Sequence, residues 1–175
     1  TSGTVFASFL FKVTDLSTLT KGGYIVVLGD DYNARFWLEQ VGEQFSVGVS
    51  VGSKLNVISE ELYNLDDVIF GVMNYDFSDS TCNVWVNPAS TDFEAENAPA
   101  PLITEGGGRM VSIGRVMLRQ DSNTETPTIT MDELRVGLTW ASVTPKAGAV
   151  VEGDDWNFSD EAFVALEGEI TETTT

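Results

Sequence analysis

The residues best placed to do chemistry are oxygen donors and aromatic rings gathered in a few short stretches. Asp30, Asp31 and Asn33 fall within one polar turn, and Asp132-Glu133 interrupts the apolar pattern of TITMDELRVGLTW at positions 128–140. A hard divalent cation such as calcium takes several oxygen ligands, usually more than one of them a carboxylate. Asp30, Asp31 and Asn33, joined by Asp132, are therefore the candidate metal ligands. The same Asp and Asn residues also suit a turn with no ion, because their side chains bond to nearby backbone. Tyr32, Trp37 and Trp85 are candidate carbohydrate platforms, each offering a flat ring on which a sugar can stack, with Asn and Asp nearby for its hydroxyls. Trp85 lies between Val84 and Val86 and is expected to pack in the core instead, although strand alternation turns it away from both.

Other chemistries are excluded by composition. With no histidine in the chain there is no Ser-His or Cys-His nucleophile and no imidazole metal ligand. The single cysteine, Cys82, rules out an intrachain disulfide and a Cys-rich zinc site. It sits among alternating apolar residues, as a small buried hydrophobe would. Gly106-Gly107-Gly108 leads into Arg109 and lacks the Lys-Ser/Thr of a phosphate loop, so it is expected to be a turn.

The elements that must position these groups are strands. Asp132-Glu133 stands where the apolar phase changes, from Ile129 and Met131 to Leu134 and Val136, which predicts a β-bulge in a final long strand. At the other end of the chain, Val5, Ala7, Phe9, Phe11 and Val13 share one phase while Phe6 and Leu10 occupy the other. Both faces of that strand are thus covered, and it is expected to be central. YIVVLG is a continuous apolar strand that turns through Asp30–Asn33 into a return strand, with Ala34, Phe36 and Leu38 on one side and Arg35, Trp37 and Glu39 on the other. Phe45, Val47, Val49 and Val51 alternate with polar or small residues.

Residues 55–58 are expected to add a short strand, and SEELYNLDD one helical turn capped by Ser59. Val68–Tyr75 and Cys82–Val86 form a hairpin across FSDST. Residues 87–108 read as a long loop that is either functional or, more commonly at such length, simply solvated. Strand character resumes at 112–119. The fold expected is all-β, an antiparallel two-sheet sandwich.

The chain has 175 residues, 42% of them hydrophobic, and carries 9 basic against 27 acidic residues for a net charge of −18. That length suits one sandwich domain over 1–145 followed by an acidic tail over 146–175. Such a charge repels phosphate backbones and anionic lipid, which makes nucleic acid an unsuitable partner. No apolar run is long enough to insert as a membrane helix. Many Thr, Ser and Asn residues, one cysteine and few lysines suit an extracellular or cell-surface setting.

The order VFASFLFKV, ARFWLEQVGEQFSVGVS, VIFGVMNYDFSDSTCNVWVNP, IGRVMLRQ and ITMDELRVGLTWASVTP, spread over most of residues 4–145, resembles the laminin-G-like, concanavalin A-like lectin/glucanase superfamily, bacterial lectin-like modules in particular. The resemblance implies a jelly roll, often attached to secreted enzymes or adhesins and sometimes binding calcium or glycans at its rim. The superfamily's retaining glucanases carry two carboxylates about 5 Å apart, in a Glu-x-Asp-x-x-Glu pattern that this sequence lacks. Asp132 and Glu133 are adjacent and point to opposite faces of a regular strand. A non-catalytic module for carbohydrate binding or adhesion is therefore expected.

The resemblance also implies strands ahead of VFASFL that this sequence does not contain. A strand-like segment in the tail, Ala162 to Ile170 with Phe163, Val164 and Leu166, is expected to fill the vacant edge, in its own chain or in a neighbour. Exchange between neighbours would make the protein a self-associating structural subunit of an extracellular filament or surface assembly, the alternative function.

Overall fold

The structure, a computed structural model, describes residues 3–30, 34–52, 57–108, 112–120 and 122–146. Strands β1 (Thr4–Asp15), β2 (Gly23–Leu28), β3 (Ala34–Val41), β4 (Gln44–Val51) and β5 (Val57–Ile58) come first. They are followed by β6 (Val68–Asp76), β7 (Thr81–Val86), β8 (Ile103–Gly106), β9 (Val116–Leu118) and β10 (Thr128–Gly137), then a single helical turn, α1 (Trp140–Val143). The strands form two five-stranded antiparallel sheets, ordered β10-β1-β6-β7-β8 and β5-β4-β3-β2-β9. The protein is an all-β jelly-roll sandwich.

β1 is central because it is apolar on both faces. Inward, Ala7, Phe9, Phe11 and Val13 join Phe36, Leu38, Phe45 and Val49 of the facing sheet in the main core. Phe36 meets the edges of Phe9 and Phe11 at centroid distances of 5.1 and 5.7 Å, the arrangement that ring quadrupoles favour. Gly71 makes room for them, since a Cβ there would stand 3.0 Å from Phe9. Outward, Phe6 and Leu10 join Phe70, Val72, Trp85 and Phe93 in a second apolar cluster that Trp140 and Val143 of α1 close over. Thr139 caps α1 by accepting the Ser142 N–H, while the Trp140 indole N–H donates to the Asp92 carbonyl at 2.7 Å. The middle of the first sheet is thus covered on both sides.

The bulge expected at Asp132-Glu133 is present. Ser8 faces Arg135 and Leu10 faces Asp132, so β10 spends one residue more than β1, and Glu133 takes the left-handed backbone at φ 54° that absorbs it. Paired residues share a face, so Val136, opposite Ala7, points inward like Met131 opposite Phe11. Yet Leu134 and Val136 remain 46% and 53% exposed, and Leu118 of β9 is 56% exposed. With only three residues, β9 is too short to cover the final turn of the facing strand. Among the described residues, nothing pairs with the outer edge of β10.

Three local expectations are corrected. Residues 59–67 form no helical turn: Tyr63 pairs with Phe45 through reciprocal backbone bonds of 2.8 and 3.0 Å. The Ser59 hydroxyl, expected as a cap, accepts the Glu61 N–H in a tight turn, the competing use of the same side chain. The 87–108 stretch is not all loop, because it contains a 3-10 turn at Ser90–Asp92 and the edge strand β8. Strand structure in 112–119 contracts to Val116–Leu118.

Cys82 is fully buried in the main core, as its neighbours implied, and burial pushes its thiol pKa far up. The linked stability is full below the unfolded value of about 8.5. It erodes as pH rises from there toward the folded value, because the unfolded chain releases a proton that the native protein keeps. Cys82→Ala is expected to flatten the stability profile above pH 8.5, by a slope that grows toward about 1.4 kcal/mol per pH unit near pH 10. Urea titrations at several pH values measure this; parallel profiles for the two proteins would refute it.

Candidate functional site

With the inner faces and the middle of the first sheet's outer face covered, the outer face of the second sheet is where the partly exposed rings of Tyr24 and Trp37 stand. Strand alternation decides what stands there. In β3 the inward set is Ala34, Phe36 and Leu38, which leaves Arg35, Trp37 and Glu39 outside. In β4 the inward set is Phe45, Val47, Val49 and Val51, which leaves Ser46, Gly48 and Ser50. Register puts Tyr24 beside Trp37, Trp37 beside Gly48, and Arg35 beside Ser50.

The geometry follows from those neighbours. At Gly48 a Cβ would lie 2.8 Å from the Val57 carbonyl and 3.2 Å from the Trp37 Cβ, so only glycine leaves room beside the indole. The Trp37 indole N–H donates to the Ser50 hydroxyl at 2.7 Å, and the Arg35 guanidinium reaches the same oxygen at 3.4 Å and the Gly52 carbonyl at 3.0 Å. Both lone pairs of that hydroxyl are then engaged, which fixes the two longer side chains relative to each other. Tyr24 and Trp37 have centroids 5.2 Å apart at 58°. The guanidinium carbons of Arg35 and Arg119 lie 5.2 and 4.8 Å from the Tyr24 ring centre, within cation–π range. Arg119 is held there by its own N–H, which donates to the Ile25 carbonyl at 2.9 Å.

Partial desolvation is the main cause that lowers the Arg35 pKa, opposed by Tyr24 and reinforced by Arg119. Arginine remains charged regardless. A chain of charge −18 thus concentrates two guanidinium groups and two aromatic rings on one face. Such a surface can stack against the apolar face of a pyranose and donate several hydrogen bonds to its oxygens.

Of the residues singled out in the sequence, Trp37 belongs to this group. Trp85 does not: it is 4% exposed, lies 5.1 Å from Trp140 between ring centres, and donates its indole N–H to the Pro99 carbonyl at 2.9 Å. It packs in the core on the face turned away from Val84, as its apolar neighbours implied, and α1 covers that face, so it presents no platform. Tyr32, Asp31 and Asn33 lie outside the described residues, as do Phe163, Val164 and Leu166.

Asp30 follows β2 and accepts from the Arg115 guanidinium at 2.7 Å, whereas Asp132 stands in β10 of the other sheet and accepts the Glu133 N–H at 2.8 Å. Among the described residues, no three Cys, Asp or Glu side chains gather as a cation site. Tyr24 and Arg119 escaped the sequence reading. Tyr24 sat inside an apolar run, and nothing local shows that β9, some ninety residues later, pairs with β2.

No family model matches the chain, and no curated protein matches it. Solved structures do. The heptameric pentraxin of Limulus polyphemus is similar over 85% of this chain and 71% of its own, at 14% identity and a TM-score of 0.56. An alginate lyase of Pseudomonas aeruginosa matches 79% of this chain and 66% of its own, at 10% identity and a TM-score of 0.49. The binding domain of botulinum neurotoxin serotype C1 matches 79% of this chain and 34% of its own, at 8% identity and a TM-score of 0.43. At these identities the pentraxin likeness is one of fold, the jelly-roll sandwich. No helix among the described residues is long and apolar enough to cross a membrane.

Proposed function

We propose that the protein is a non-catalytic, extracellular carbohydrate-binding or adhesive module. The observation that carries this reading is the cluster of Tyr24, Trp37, Arg35 and Arg119, all partly exposed, on the outer face of the second sheet. Ring faces supply sequence-independent stacking, and guanidinium forks favour glycans bearing carboxylate or sulfate groups over neutral ones. Calcium enters this reading through Asp31 and Asn33 beside Asp30, whose carboxylate already has Arg115 as a partner.

A glycan array probed with the full chain is expected to show retention of acidic saccharides, weakened about tenfold or more by Trp37→Ala or by Arg35→Gln, in line with the loss of a buried-edge ring or a charge-assisted bond. Thermal unfolding of each variant separates a lost contact from a lost fold. Retention indifferent to both substitutions in folded protein would rule this face out. Loss of retention on adding a chelator, abolished by Asp30→Asn, would support an ion at that turn.

A further inference from the structure

We infer that the outer edge of β10 is the docking site for the chain's own C-terminal segment 162–170, added as a sixth strand to the first sheet. The acceptor is specific. Beyond the bulge, Leu134 and Val136 point inward but are half exposed, Leu118 faces them from β9, and Leu138 is 73% exposed. Between the sheets at this edge lies a groove of about 240 Å³ lined by Phe9, Leu118, Met131, Asp132, Glu133 and Leu134. An unpaired strand edge above an open apolar groove is a template for one more strand. Left bare, it is also a site for aggregation.

The occupant is chosen by pattern and reach. In Ala162-Phe163-Val164-Ala165-Leu166-Glu167-Gly168-Glu169-Ile170, one alternating set is Ala162, Val164, Leu166, Gly168 and Ile170, and the other is Phe163, Ala165, Glu167 and Glu169. Such a strand has one apolar face for the groove and a second face that is polar over its last half, and the groove face continues the inner row of β10, where Ile129, Met131, Leu134 and Val136 stand inside and Thr128, Thr130, Asp132 and Arg135 outside. The fifteen residues 147–161 separate this segment from the end of the described chain. Extended, they reach roughly 50 Å, more than enough to return to β10. A tether of that length gives an effective concentration on the order of millimolar, so the chain's own segment outcompetes a second copy at micromolar protein.

The test uses the full chain. Amide exchange is expected to show the β10 edge protected, with that protection falling about tenfold or more in a Val164→Asp, Leu166→Asp double variant while β6 amides keep theirs. In a second measurement, Leu134→Cys is combined in turn with Val164→Cys, Leu166→Cys and Ile170→Cys, and each protein is oxidised at micromolar concentration. An intramolecular disulfide in at least one pair is the expected result, and the buried Cys82 does not interfere. Three results would overturn the inference: unprotected β10 amides in the parent, protection unchanged by the double variant, or cross-links that form only between chains. The last would instead assign the edge to a second copy.

Discussion

Truncating Phe36 to alanine is expected to lower the unfolding free energy by about 3–5 kcal/mol, the cost of removing a buried aromatic ring and leaving most of its space empty. Its ring is fully buried and meets Phe9 and Phe11 edge-on, so the loss includes two aromatic contacts besides the transfer term. Collapse into the void is resisted because the facing position is Gly71, which has no side chain to move in. Domains are stable by only about 5–15 kcal/mol, so Phe36→Ala should consume a large part of the margin. Phe36→Leu, which retains most of the volume, should cost closer to 1.5 kcal/mol. Urea titration of both variants measures the difference. If Phe36→Ala were no worse than Phe36→Leu, the sheet-to-sheet contact would not be centred where it is described.

Gly23→Ala is expected to destabilise by about 3 kcal/mol and to lower the melting temperature by roughly 6–12 °C, despite adding a single methyl group. Gly23 begins β2, and a Cβ there would collide with the backbone carbonyl of Glu125. Backbone cannot rotate aside as a side chain does. The loop that carries Glu125 is also strapped down, since Thr18 donates to the Thr126 carbonyl at 2.6 Å. Relief therefore means moving the whole 122–127 connection, and with it the entry to β10. Calorimetry gives the magnitude, and increased amide exchange in 124–130 identifies the displaced segment. A melting temperature within a degree or two of the parent would show that the loop is free to move.

The fold was legible wherever alternation ran for six or more residues. β1, β3, β4 and the β6-β7 hairpin are long enough for burial on one face to overwhelm local propensity. The bulge in β10 was legible because the one extra residue shifts every apolar side chain after it. β8 and β9, with four and three residues, are held as strands by neighbours distant in sequence and leave almost no periodic trace of their own. The 59–67 error arose from Ser59, whose hydroxyl serves a turn as readily as a helix cap. Half of the candidate surface was visible in Trp37, because alternation alone turns it outward. The other half, Tyr24 with Arg119, exists only once β9 is laid beside β2.

The pairing of β1 with β10 also has a mechanical meaning. Phe6 lies opposite Gly137, so the chain enters and leaves this ladder at the same end. Tension drawing the two ends apart would peel the strands rung by rung instead of shearing all the rungs together, a geometry that yields at low load. Where the chain leaves the ladder, such a pull works against Trp140, packed beside Phe6 and Trp85 and tied to the Asp92 carbonyl. That indole is the latch on the zip.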